Sequence, residues 1–118
     1  MKRCSAKPVL RDRVLLSTAQ ASDLENLFKS LANNTRLRLL HALVRRGELC
    51  VGDLAEELGM SLQAVSNQLR RLGGIVASRR DGNNIHYRIV DPCVVVLLDR
   101  GLCLLEETQK RRMQRSFV

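Results

Sequence analysis

Between positions 51 and 72, two helix-periodic apolar stretches, 51–58 and 62–72, are separated by Gly59, Met60 and Ser61 alone. Two helices joined by a three-residue turn containing glycine form a helix-turn-helix when the residues at the crossing are right, and here they are. Ala55 stands where only a small side chain lets the helices cross. Gly59, four residues later, occupies the turn position that needs positive φ, and Val65, six residues beyond, anchors the second helix from inside. Leu54, Leu58 and Leu69 complete the packing. The alternative is an ordinary helical hairpin, against which both this spacing and the segment that follows it argue.

The flanking segments are read from period and punctuation. Ser22 with Glu25 three residues later reads as a capping box, opening a short helix whose apolar face is Leu24, Leu27, Phe28 and Leu31. A second helix should start near Asn34 or Thr35, with Leu37, Leu40, Leu43 and Val44 as its stripe. Arg45 and Arg46 suit its negative C-terminal end, and Gly47 ends it. Past Gly73 and Gly74 the runs 75–80 and 85–90 are β-prone, and Asp81, Gly82, Asn83 and Asn84 between them suit a hairpin turn. Asp91 followed by Pro92 reads as an N-cap and first helical residue of a last helix reaching about Arg112.

Only 3% of the 118 residues are aromatic and none is Trp, so the core should be aliphatic and helical. The fold class expected is mainly α with a small β-hairpin: a winged helix-turn-helix, dimerising through its terminal helices. The length allows one domain. A basic N-terminal arm is expected over 1–21, the DNA-binding and dimerisation domain over 22–112, and a C-terminal tail over 113–118.

The net charge of +8 favours a polyanionic partner, and the charge is segregated. Lys2, Arg3, Lys7, Arg11 and Arg13 mark the start, Arg70, Arg71, Arg79, Arg80 and Arg88 the middle, and Lys110, Arg111, Arg112 and Arg115 the end. Glu48, Asp53, Glu56 and Glu57 form an acidic stretch between them. If the second helix of the helix-turn-helix enters a major groove, Gln63, Ser66, Asn67 and Arg70 face base edges; Gln and Asn suit adenine and Arg suits guanine. Ser61 and Arg71 would contact phosphates, and Arg79 and Arg80 would place cations of the ribbon on the backbone or in a minor groove. Tyr87 reads as a packing residue.

The order of these elements, with the segments Leu31-Ala32-Asn33-Asn34-Thr35-Arg36-Leu37-Arg38-Leu39-Leu40, Glu48-Leu49-Cys50-Val51-Gly52-Asp53-Leu54, Ala64-Val65-Ser66-Asn67-Gln68-Leu69 and Tyr87-Arg88-Ile89, resembles the ArsR/SmtB family of winged-helix metalloregulators over roughly residues 22 to 108. The resemblance implies a cytoplasmic, homodimeric bacterial repressor that binds an operator when metal-free and releases it on binding a metal. Cys50, Cys93 and Cys103 resemble the subset that answers thiophilic ions. Gly52 stands where that family's arsenic and cadmium sensors carry a second cysteine. Asp91, Cys93, Leu104 and Glu107 match the positions of the Asp-x-His and His-x-x-Glu ligands of its zinc and nickel sensors, both histidines being replaced. The join at Gly73 and Gly74 is shorter than the family's usual connection.

Four cysteines at 4, 50, 93 and 103 fit neither a CxxC knuckle nor a dense disulfide framework. Cys93 and Cys103 lie on one helix with about 15 Å of rise between them, so they cannot share an ion within one chain. The helix carrying them is apolar nearly all round, which suits burial between subunits. An antiparallel pairing with its dyad near Leu98 sets Cys93 opposite the partner's Cys103, giving two equivalent sites. Cys50 offers a third thiolate, with Cys4, Asp91 and Glu107 as subsidiary ligands. Such a sulfur-rich set favours Hg(II), Cd(II) or As(III), with Zn(II) competing.

Two other functions compete. A thiol redox or persulfide sensor would use the same cysteines without a metal. A basic adaptor would bind a protein through the last helix and would be indifferent to Gln63, Ser66 and Asn67. Enzymatic chemistry is not expected, since no Ser/His/Asp set, phosphate-cradling glycine loop or paired carboxylates occur. No apolar run of about 18 residues and no leader-like segment is present, so no membrane partner is expected.

Overall fold

The computed structural model describes residues 7–115; Cys4, Lys2 and Arg3 of the expected arm, and the last three residues of the expected tail, lie outside the described residues. After a short 3-10 turn at Leu10–Asp12, helix α1 spans Thr18–Leu31. It begins a turn earlier than the sequence suggested, inside the span assigned to the arm. The sequence offers the Ser-x-x-Glu/Gln pattern twice in succession, and the upstream copy wins. The Ser17 hydroxyl accepts from the backbone of Gln20, whose side chain accepts from the Ser17 backbone N–H at 3.0 Å. Glu25, expected as a capping residue, instead pairs at 3.9 Å with Lys29 on the exposed face.

Helix α2 (Asn34–Arg46) is capped by the Asn33 carboxamide. Its buried face is Arg36, Leu39, Leu40, Ala42 and Leu43, so the expected stripe is rotated: Leu40 and Leu43 lie inside, whereas Leu37 and Val44 sit exposed at its edge. A long arginine occupies the inner position because its hydrogen-bonding groups are met there. Strand β1 (Leu49–Cys50) leads into α3 (Val51–Leu58) and α4 (Leu62–Arg71), followed by β2 (Val76–Asp81), β3 (Asn84–Ile89) and α5 (Pro92–Arg115), which runs past the expected end at Arg112.

The ribbon is therefore part of a three-stranded antiparallel sheet of order β1-β3-β2, not a lone hairpin. Leu49 pairs with Tyr87 and Cys50 with His86. Nothing in a two-residue strand carries a local period, so β1 was not legible without its partner. Between β2 and β3 the loop tightens to Gly82 and Asn83, because Asp81 pairs with Asn84; Gly82 takes φ +62° at the first central position, where glycine carries no Cβ penalty.

Leu31, Leu39, Leu40, Leu43, Leu54, Leu58, Val65, Leu69 and Leu72 make the core, which joins α1 to α4 into one aliphatic cluster. Burying each such side chain contributes roughly 1.5–3 kcal/mol. Tyr87, Ile89 and Val76 of the sheet pack against it, as do Val94 and Leu98 near the start of α5. Beyond Leu98 the last helix leaves the body of the molecule, and no residue of α5 is fully buried.

Candidate nucleic-acid interface

The turn between α3 and α4 is closed by backbone alone. Gly59 is left-handed at φ 66° and ψ 38°. Its N–H donates to Glu56 O at 3.3 Å, and that of Met60 to Ala55 O at 2.9 Å, the Schellman closure that a glycine just past a helix permits. This fixes where α4 starts. Ser61 then caps it by accepting from Ala64 N at 3.1 Å, leaving the hydroxyl proton available for an anionic oxygen outside.

Val65 and Leu69 bury one face of α4, and Gln63, Asn67 and Arg70 stand exposed on the opposite one, with Arg71 exposed beside them and Ser66 half-buried. Gln63 Nε2 donates to Asn67 Oδ1 at 3.1 Å. That bond leaves the Gln63 carbonyl oxygen and the Asn67 amide hydrogens unused by it, an acceptor and a donor, which is the pairing that the major-groove edge of adenine requires. The helix thus presents a polar face already ordered by its own side chains.

The two wing cations differ. Arg80 is exposed and has no carboxylate partner among the described residues. Arg79 Nε donates to Glu48 Oε1 at 2.8 Å, and its guanidinium pairs with the same carboxylate. This hydrogen bond holds the Glu48 carboxyl below its ordinary pKa and raises that of Arg79. His86 Nδ1 lies 3.9 Å from the same oxygen. Glu48 was visible in the sequence only as part of an acidic stretch. Its partner is 31 residues away, and the β3 strand between them supplies the contact.

Among the described residues no three His, Cys, Asp or Glu side chains gather in a metal-sized cluster. Cys50 is half-buried where β1 joins α3, and a Cβ at Gly52 would lie 4.0 Å from its Sγ, so the missing side chain leaves room above the sulfur. Cys103 is exposed on the free part of α5. Cys93, in the first turn of α5, is disulfide-bonded, and its backbone N–H donates to Asp91 Oδ1 at 2.8 Å. Asp91 thus serves as a cap, while Glu107 is exposed well along α5. Sulfur donors of this kind are chemically suited to a soft ion.

Residues 33–75 match the bacterial regulatory protein, arsR family. A transcriptional repressor SmtB homolog of Synechocystis is 44% identical over 70% of this chain; the chain spans 64% of that relative's length. The crystal structure of the AntR antimony-specific transcriptional repressor superposes with a TM-score of 0.75 at 60% identity, covering 92% of this chain and 99% of the other. A homodimeric winged helix-turn-helix DNA-binding domain of Mycobacterium bovis superposes with a TM-score of 0.69 at 32% identity, over 84% and 95% of the two chains. The helix-turn-helix closed at Gly59, the three-stranded wing and these likenesses agree: the chain belongs to the ArsR family of bacterial regulatory proteins, built as a winged helix-turn-helix.

Proposed function

We propose that two copies of this chain form a cytoplasmic transcriptional repressor that binds an inverted-repeat operator and leaves it when a thiophilic ion is held by cysteine sulfurs. The observation that carries the reading is the ordered polar face of α4. Gln63, Asn67 and Arg70 are aimed outward while Val65 and Leu69 fix the helix from behind. Gln63, Ser66, Asn67 and Arg70 read bases, Ser61 and Arg71 hold phosphates, and Arg80 carries the wing to the backbone, joined by Arg79 only when its pair with Glu48 opens. Half-sites one helical turn apart follow from a twofold dimer.

Cys50, Cys93 and Cys103 are the principal donors, with Cys4, Asp91 and Glu107 subsidiary, and the donors of one site come from both copies. Sulfur ligands select soft ions. Likeness to an antimony-specific repressor favours trivalent Sb(III) and As(III), with Hg(II), Cd(II) and Zn(II) as competitors. Cys50 lies at the joint of β1 and α3, so a restraint on its sulfur acts on the unit that carries α4. Differential affinity for the two arrangements then shifts the population away from the one that fits DNA.

The test is a titration of the reduced protein with antimonyl tartrate, arsenite, Cd(II) or Hg(II), following thiolate-to-metal absorption for wild type and each Cys→Ser variant beside a DNA mobility shift. Release by one of these ions, lost in the serine variants that lose absorption, is expected. Retention of DNA by every ion overturns the metal reading. The disulfide at Cys93 favours one second reading, a thiol redox sensor. In that case peroxide or persulfide releases DNA from metal-free protein and a reductant restores binding.

A further inference from the structure

Arg36 is the one charged residue in the core of the described residues, 8% exposed, and it has no acidic partner there. A buried guanidinium is tolerated only where its donors are met. Arg36 Nε donates to Ser30 O at 2.6 Å and Nη2 to Lys29 O at 3.4 Å. Both carbonyls belong to the last turn of α1, whose unsatisfied oxygens and negative dipole end attract a cation. The third arm points elsewhere: Nη1 donates to Gln68 Oε1 at 3.1 Å, on the inner edge of α4. Its own backbone N–H is fixed by the Asn33 side chain at 3.1 Å. One planar group thus spans the end of α1 and the middle of α4, and being planar it relates them with little angular freedom.

Apolar packing does not specify that angle. Val65 and Leu69 bind α4 to its neighbours through contacts without direction, and leucine cores accept small rotations. The bond to Gln68 is directional, and Gln68 immediately follows Asn67, which faces outward. A rotation of α4 that moves Gln68 off Arg36 swings Gln63 and Asn67 by the same angle.

We propose that Arg36 is a positioning residue for DNA recognition: through Gln68 it sets the rotation of α4 against the C-terminal end of α1, and so makes operator reading depend on how α1 is held. This rests on the DNA-binding reading above. It concerns specific over non-specific binding, because phosphate contacts tolerate a small rotation and base contacts do not.

The experiment uses full-length wild type, Gln68→Leu, Gln68→Glu and Arg36→Lys. Gln68→Leu removes only the acceptor on α4 and leaves the α1 carbonyls bonded; Gln68→Glu keeps an acceptor; Arg36→Lys keeps the charge without the fork. Affinities are measured for a duplex enriched from a random pool by the wild-type protein and for a scrambled duplex of the same composition. Residual dipolar couplings of the free protein report the angle between α1 and α4. For Gln68→Leu the enriched-to-scrambled affinity ratio should fall about tenfold with scrambled affinity unchanged, the interhelix angle should shift or broaden, and the melting temperature should drop because one buried donor is left unmet. Gln68→Glu should retain the ratio, and Arg36→Lys should lower both the ratio and the melting temperature. An unchanged ratio and angle in Gln68→Leu overturns the proposal, as does a loss that falls equally on both duplexes. If the wild type enriches no sequence, the DNA-binding reading fails, and the couplings still decide whether Gln68 sets the angle.

Discussion

At Glu48 a single carboxylate gathers Arg79 at 2.8 Å and His86 at 3.9 Å, and it removes one expected cation from the wing. Arg79 donates a hydrogen bond to the ionised form, so the folded pKa of Glu48 is depressed from its ordinary 4.5. A depressed carboxylate stabilises the fold above the unfolded value and loses that contribution as pH falls through the folded one. Glu48→Gln should therefore lower the melting temperature slightly at pH 7 and hardly at all at the acid end, with the two pH profiles converging once pH falls below the depressed folded value. The same variant frees Arg79. Its affinity for non-specific duplex should rise, and the slope of log affinity against log salt should steepen by about 0.9, one phosphate contact. An unchanged slope would mean that Arg79 does not reach DNA. Residues with a local role, such as Gly59 at its positive φ or Asp91 as a cap, were readable from the sequence. Glu48 and Arg36 were not, because what defines them is a partner far along the chain.

The elements follow the same division. The positions of α3 and α4 and the three-residue turn between them were fixed by contiguous residues, and Ala55, Val65 and Leu69 lie buried as the spacing predicted. The start of α1 was misplaced because two equivalent capping patterns overlap, and β1 was missed because two residues become a strand only when Tyr87 and His86 lie beside them. On α2 an arginine inside and two apolar residues at the edge reversed what hydrophobic period alone implies. For α4 the assigned roles separate by measurement. Removing the outward amide in Asn67→Ala should cost about 1–3 kcal/mol of operator affinity and relax the sequence preference at one position. Arg71→Ala should weaken all duplexes alike and reduce the salt slope by about 0.9. If Asn67→Ala weakens enriched and scrambled duplexes equally, α4 does not read bases through that residue.

At the scale of the whole molecule the exposed apolar surface is concentrated at the two ends of the chain. Leu24, Leu27 and Phe28 on α1 are each about two-fifths exposed, although the sequence marks them as a buried face. On α5, Leu102, Leu104 and Leu105 are more than half exposed. Scattered surface leucines need no explanation, but apolar faces on two terminal helices leave a patch that a water-soluble monomer rarely keeps. In the dimer proposed above, a second copy would cover it by the twofold symmetry most homo-oligomers use. The 24 residues of α5 span about 36 Å at 1.5 Å per residue, long enough to cross a dyad and reach well onto a partner. Leu97 and Leu104, seven residues apart, share one stripe of that helix. The double variant Leu97→Glu/Leu104→Glu should therefore sediment as a monomer where wild type sediments as a dimer, with the helical signal largely kept because neither side chain is part of the core. A monomer offers one α4 to a two-part operator. Its affinity should fall toward the non-specific level and lose the preference for half-sites spaced by one helical turn. If the metal donors are shared between copies as proposed, the same variant should also lose its thiolate-to-metal absorption at micromolar protein. If it binds an ion with the wild-type spectrum while remaining a monomer, the sulfurs of one chain suffice and the site does not bridge the dyad.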